Sequence, residues 1–197
     1  MPAILAIDSS TPVAGFALLI DGRPILVRTA HSPDGHAHKL FAEIDALLAE
    51  AAITVAEIDC FAAASGPGSF TGVRIALAAV KGLAHATGRP VCAVSNLEAL
   101  AWFGSAPLRA PVIAARANEV YAAVYDAALR VVVPEAVLSW DDFAASAGDA
   151  QIIRDSPPIA IAVAHIALDR LRAGLASDPA VPDANYIRPP AIRESAL

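Results

Sequence analysis

The chain has 197 residues, 56% of them hydrophobic, with a mean hydropathy of +0.54 and a formal net charge of −6. That is enough apolar material for one domain or two small ones, and it excludes a disordered chain. The acidic balance argues against an autonomous nucleic-acid binder, which would carry a basic footprint, and no apolar run approaches the roughly 20 residues of a membrane span. Met1 to Asp8 carry neither the basic region nor the cleavage site of a signal peptide. Cys60 and Cys92 sit in apolar, strand-like runs and are expected as buried free thiols of a cytoplasmic protein, ahead of a disulfide or a catalytic thiol.

Ala3 to Asp8 is a continuous apolar run, which predicts a central buried strand ending in the polar turn Asp8-Ser9-Ser10-Thr11-Pro12. Val13 to Ile20 and Arg23 to Thr29 are predicted as the next two strands, joined by the hairpin dipeptide Asp21-Gly22. His31 to His38 is a loop containing three histidines. Their spacing is not the i, i+4 pair of a helical metal site, so a polar or partner-facing helix start is expected there in place of a metal. Leu40, Phe41, Ile44, Leu47, Leu48 and Ala51 then recur at helical spacing, with Lys39, Glu43, Asp45 and Glu50 on the more polar side.

Ile58 to Ser65 is a short apolar run, followed by Gly66-Pro67-Gly68-Ser69-Phe70-Thr71-Gly72 and an apolar helix expected over Val73 to His85. Strand, glycine loop and helix start together make an anion-binding geometry, because backbone N–H groups can converge there. Neither the Walker lysine nor the dinucleotide glycine spacing is present, so phosphate binding stands beside a plain tight turn with Thr71 as N-cap. A cation at Arg74 opposes the helix dipole, which calls for an acidic neighbour or a partner unless it is simply solvated. The helix has no clear polar face, so burial on more than one side is expected, against a second helix of this chain or another. Val91 to Val94 is another strand, with Ser95 capping a helix from Asn96 to Phe103.

The segment Gly104 to Pro111 is a proline-bearing link, which places a boundary between residues 1–106 and 107–197. Beyond it the theme recurs in worn form. Strands are expected at Val112–Ala115, Glu119–Asp126 and Arg130–Val133, a short helix from Trp140, a strand near Gln151–Arg154 and a longer helix over Ile159–Leu175.

Several stretches together resemble the bacterial TsaB (YeaZ) family. They are Ile4-Leu5-Ala6-Ile7-Asp8-Ser9-Ser10, the glycine stretch Gly66 to Ile75, Lys81-Gly82-Leu83-Ala84, Val94 to Ala101, Arg116 with Glu119-Val120-Tyr121, and Tyr186-Ile187-Arg188. The resemblance implies an α/β chain with the actin/Hsp70/sugar-kinase (RNase H-like) fold: two lobes of mixed sheet flanked by helices, the second reduced here. It implies a non-catalytic scaffold or dimerisation subunit, cytoplasmic, in the complex that makes N6-threonylcarbamoyladenosine in tRNA. The implied partners are the catalytic paralogue TsaD, the ATPase TsaE and, when alone, a second copy of the chain, without strong direct tRNA binding. Where the paralogue has two metal-binding histidines at i and i+4, this chain has Asn96 and Leu100, so no metal and no resident cofactor are expected.

On this reading Lys39, Leu40, Glu43, Phe70, Val73, Arg74, Ile75, Leu77, Ala78 and Lys81 are the candidate partner interface. Asp8, Ser9, Ser10, Gly66, Gly68, Ser69 and Thr71 are the candidate phosphate site. The alternative is a nucleotide-dependent phosphotransferase or ATPase of the same fold, resting on Asp8 and the glycine loop. An intermediate version holds ATP or ADP at the interface with TsaD.

Overall fold

A computed structural model describes residues 1–31, 39–154 and 158–187. The hairpin expected at Asp21-Gly22 is present, with both residues at positive φ (53° and 76°), as the tight turn matching strand twist requires. It joins β2 (Val13–Ile20) to β3 (Arg23–His31), and β2 pairs antiparallel with β1 (Ala3–Asp8) from Ala3↔Ile20 to Asp8↔Gly15. β4 (Cys60–Ala64) and β5 (Val91–Val94) add in parallel, giving a five-stranded mixed sheet ordered β3-β2-β1-β4-β5.

β1 and β4 are buried along their whole length because both faces of the sheet are covered. Leu5, Ile7, Phe16, Leu18 and Phe61 point to one face, under α1 (Leu40–Glu50) and α2 (Phe70–Thr87). Ile4, Ala6, Ala17, Leu19 and Ala62 point to the other, under α5 (Ala160–Arg172). The period-2 alternation sorts the two cores. Small residues on both sides let α5 lie close: Ala160, Ala162, Ala164 and Ala167 are fully buried against the alanine-rich strands.

The second sheet contains β6 (Leu108–Ala114), β7 (Glu119–Asp126), β8 (Val131–Ser139) and β9 (Gln151–Ile153), ordered β8-β7-β6-β9. It repeats the antiparallel-then-parallel pattern of the first with four strands. α4 (Trp140–Ala147) covers one face through Phe143 and Ala147. On the other, Leu97 and Ala101 of α3 (Asn96–Ala101) pack against Ala123 and Tyr125, so α3 is wedged between the lobes.

Three expectations need correction. Residues 107–197 do not form a lobe of their own, because α5 returns to the first sheet; the second sheet and α4 lie between Leu108 and Ile153. β8 runs on through Pro134 to Ser139, which an edge strand tolerates. α2 begins at Phe70 with Ser69 as its N-cap, its hydroxyl accepting from Gly72 N at 3.3 Å, so Thr71 lies inside the helix. Of the three histidines, His31 ends β3, while His36 and His38 lie outside the described residues.

Candidate functional site

The residues of the candidate phosphate site do come together. Asp8 ends β1, and the following Ser9-Ser10 turn meets the loop between β4 and α2. The contact is backbone on backbone. A Cβ at Gly72 would lie 1.8 Å from the Ser9 carbonyl oxygen, and one at Gly68 would lie 2.7 Å from Ser10 Cβ. Gly66 has φ +106°, a conformation L side chains rarely adopt, and the Gly66-Pro67 bond is cis.

The polar groups of this corner are directed at one another. Asp8 Oδ1 accepts from Ser10 N at 2.9 Å and from Ser10 Oγ at 2.6 Å. Asn96 Nδ2 donates to Ser10 Oγ at 2.7 Å, and Asn96 Oδ1 accepts from Gly66 N at 2.9 Å. Ser9 Oγ donates to Gly72 O at 2.7 Å, and Ser69 N donates to Ser10 O at 2.8 Å. Asp8, Ser9, Ser10 and Asn96 are all buried. Gly68, Ser69 and Thr71 are exposed at the rim.

Asp8, Ser10, Gly68, Ser69 and Asn96 line a cleft of about 650 Å³ between the lobes, faced by Val112–Ala114 and Arg154 of the second lobe. Leu100, one helical turn after Asn96, lines the same cleft with an apolar side chain. Among the described residues no group of three His, Cys, Asp or Glu side chains is placed to hold a metal. Cys60 and Cys92 are free and buried, with their Sγ atoms 3.9 Å apart; the neighbouring thiol and burial push Cys60 above the usual thiol range.

The candidate interface residues divide by helical geometry. Val73, Ala76, Leu77, Val80 and Ala84 form the stripe of α2 that packs into the core. Val73 and Leu77 therefore cannot serve a partner surface, and neither can Leu40, which is buried at the start of α1. The outward stripe is Phe70, Arg74, Ala78, Gly82 and His85, with Ile75 and Lys81 half-buried at its flanks. α2 is thus open on one side, and a Cβ at Gly82 would meet nothing within 4 Å. On α1, Lys39 is exposed and Glu43 is half-buried, 3.4 Å from Arg28.

For Arg74 the sequence leaves an acidic neighbour, a partner or plain solvation open, and its neighbours within the chain are aromatic. Its guanidinium lies 3.7 Å from the Phe70 ring centroid, and Nε donates to the Tyr186 hydroxyl at 2.7 Å. The Phe70 and Tyr186 rings are 5.4 Å apart. Stacking on a π face gives the cation a favourable field despite the adverse helix dipole.

A second polar cluster is not apparent in the sequence. Glu135 on β8 accepts from the Ser95 hydroxyl, from Tyr125 Oη at 2.5 Å and, through its other oxygen, from Asn185 Nδ2 at 2.6 Å. It thus joins the second lobe to the cap of α3 and to the C-terminal segment. Burial, then the Glu135 hydrogen bond and charge, raise the Tyr125 phenol above its ordinary value. Nearby, burial raises the Glu98 carboxyl despite two contacts from Arg170 at 2.8 and 2.7 Å. The available sequence signal is a lone carboxylate in the apolar run Val131 to Leu138, since a buried charge needs partners.

Two lobes built on the same strand pattern, with the first β-turn and the glycine loop meeting at the mouth of the intervening cleft, define a two-lobed α/β fold of the actin and sugar-kinase type. The comparisons narrow this. Residues 30–156 match the family model described as TsaD: tRNA N6-adenosine threonylcarbamoyltransferase. The chain is 35% identical over 122 residues to the tRNA threonylcarbamoyladenosine biosynthesis protein TsaB of Haemophilus influenzae, covering 60% of this chain and 51% of that protein. It is 34% identical over 137 residues to the Bacillus subtilis protein of the same name, covering 67% and 60%. The matched stretch therefore spans about half to three-fifths of these relatives' length. The solved structure of YeaZ from Pseudomonas aeruginosa superimposes with a TM-score of 0.80 at 31% identity, covering 94% of this chain and 100% of that one. The chain belongs to the TsaB (YeaZ) family. No helix among the described residues is long and apolar enough to cross a membrane.

Proposed function

We propose that this chain acts in tRNA N6-threonylcarbamoyladenosine synthesis as a non-catalytic cytoplasmic scaffold. The catalytic paralogue TsaD docks on the outward stripe of α2 and the neighbouring flank of α1, TsaE joins the assembly, and a second copy takes the surface when TsaD is absent. The observation that carries this reading is the self-satisfied corner. Asp8, Ser9, Ser10, Ser69 and Asn96 make hydrogen bonds to one another and to the loop backbone. Leu100, lining the same cleft, supplies neither a ligand nor a proton. The acidic chain leaves tRNA binding to its partners.

The test is threonylcarbamoyl transfer to tRNA by purified TsaD, TsaE and the enzyme supplying threonylcarbamoyl-adenylate, with and without this chain. Transfer that needs the chain, with no ATPase from the chain alone, is the expected result. A dispensable chain that hydrolyses ATP by itself favours the second reading, a phosphotransferase or ATPase. The position of Asp8 on the interlobe cleft motivates that reading. An ATP or ADP held at the TsaD interface is compatible with the scaffold role, since Gly68, Ser69 and Thr71 lie exposed beside the start of α2.

A further inference from the structure

The C-terminal segment after α5 returns across the molecule and touches both lobes. Ser177 bridges to Val91 at the edge of the first sheet, and Pro182 is buried. Asn185 then makes two contacts of different origin. Its backbone N–H donates to Ser65 O at 2.7 Å, beside the glycine loop, while its side-chain amide donates to Glu135 of the second lobe at 2.6 Å. Tyr186 turns outward onto Phe70 and accepts from Arg74. Asn185, Tyr186 and Ile187 form one wall of a second cleft, of about 510 Å³. Its remaining lining includes Ser65–Gly68 from the first lobe and Ala114–Arg116 and Tyr121 from the second.

We propose that residues 183–187 are a releasable strap that couples the outward face of α2 to this cleft. The inference rests on the docking face proposed above and adds its regulation. Seated, the strap links the lobes through Asn185 and sets the Tyr186 ring beside Phe70, against which Arg74 lies. Its outer anchor is weak by construction: Tyr186 is 37% exposed, and its hold on Arg74 is a hydrogen bond to a neutral phenol beside ring contacts. A partner carboxylate reaching Arg74 adds an opposite charge and a second, parallel hydrogen bond, which the single bond to the phenol oxygen lacks. Capturing Arg74 therefore removes the bond that fixes Tyr186, Asn185 loosens, and the cleft opens on that side. Docking and cleft opening become one two-state transition, biased by the partner's differential contact with Arg74.

Hydrogen–deuterium exchange on the full chain reads the strap through the Asn185 amide. The Phe61 amide, bonded to Pro90 O within the first sheet, serves as control. Tyr186→Ala is expected to speed Asn185 exchange at least tenfold with Phe61 unchanged, and Tyr186→Phe, which keeps the ring, to give a smaller rise. Saturating TsaD is expected to speed Asn185 exchange in the wild-type chain and to add little in Tyr186→Ala. Unchanged exchange in Tyr186→Ala overturns the strap. Slower Asn185 exchange on adding TsaD overturns the release. Failure to form any complex by sizing overturns the docking reading and the coupling with it, while the Tyr186→Ala result on the isolated chain still decides whether the segment is held as described.

Discussion

Replacing Gly72 by alanine tests whether the glycine loop serves packing or phosphate. The new methyl would lie 1.8 Å from the Ser9 carbonyl oxygen and 2.8 Å from its carbon. That is about 1.5–2 Å short of ordinary van der Waals separation, and the obstacle is backbone, which cannot swing aside. Separating the turn from the loop loosens the Ser9 Oγ to Gly72 O and Ser69 N to Ser10 O hydrogen bonds. Each is worth about 1 kcal/mol, on top of roughly 1–3 kcal/mol for overpacking. A loss of about 3–5 kcal/mol lowers Tm by roughly 6–20 °C in a chain of this size. Gly82→Ala, in the same helix, provides the contrast. Nothing lies within 4 Å of its Cβ position, so exchanging glycine for a better helix former should add about 1 kcal/mol. Thermal melts followed by circular dichroism, with urea midpoints, read both variants. A Gly72→Ala protein melting with the wild type would refute the close approach and return the glycine to a ligand-binding role.

Ala78→Asp places a charge on the outward stripe of α2. Its intrinsic helix cost is below about 1 kcal/mol, so Tm should change by a few degrees at most, while TsaD capture and self-association measured by sizing fall sharply. Glu135→Gln leaves Ser95, Tyr125 and Asn185 without their shared carboxylate; hydrogen bonds to charged groups contribute about 1.5–3 kcal/mol each, and a loss of about 2–3 kcal/mol in urea unfolding is expected. His165 stacks on Trp102 with centroids 4.9 Å apart, and burial lowers its pKa against the opposing charge of Asp169. The folded state therefore prefers the neutral ring. The stability it contributes is complete above the unfolded value near 6.5 and declines as pH falls through the lower folded value. His165→Phe should remove that acid-side loss, seen by comparing urea midpoints at pH 7 and pH 5.

The sequence specifies the first lobe closely because its elements carry strong local signals. Continuous apolar runs mark β1 and β4, Asp21-Gly22 the hairpin, and Ser95 its own helix cap, accepting from Leu97 N at 3.1 Å. The same sequence misplaces α5, since a helix rich in alanine gives no indication of which sheet it will cover; the matching alanines of β1, β2 and β4 decide that only in three dimensions. The N-cap moves from Thr71 to Ser69 because either hydroxyl suits a cap, and the choice follows from the Ser10 carbonyl holding Ser69 N. At the candidate sites, composition suggests which residues carry chemistry but not where that chemistry is directed. Arg74 needs a partner on dipole grounds, yet its partners are Phe70, four residues earlier, and Tyr186, 112 residues later.

Glycines at 66, 68 and 72 serve two purposes that look identical in sequence. A residue without a side chain lets an anion approach backbone donors, and it equally lets a second backbone approach. The difference lies in where the donors point. Gly66 N is taken by Asn96, Ser69 N by the Ser10 carbonyl and Gly72 N by the Ser69 hydroxyl, so these three donors face the protein. Asn96 is part of the same substitution of structure for chemistry: at the helical position where the family resemblance places a metal-binding histidine in the catalytic paralogue, its amide can donate and accept at once. It uses both capacities to tie the β1 turn to the glycine loop. Asn96→His would test that assignment directly. A neutral imidazole in the same rotamer places Nδ1 and a carbon where the two amide atoms stood, so it can replace one of the two bonds but not both, and Leu100 remains beside it with no ligand to offer. The expected variant is less stable by about 1–3 kcal/mol, the cost of a buried polar group left unpaired, and shows no Zn²⁺-dependent rise in Tm. A variant that binds zinc and melts higher with it would show that the corner can still hold a metal.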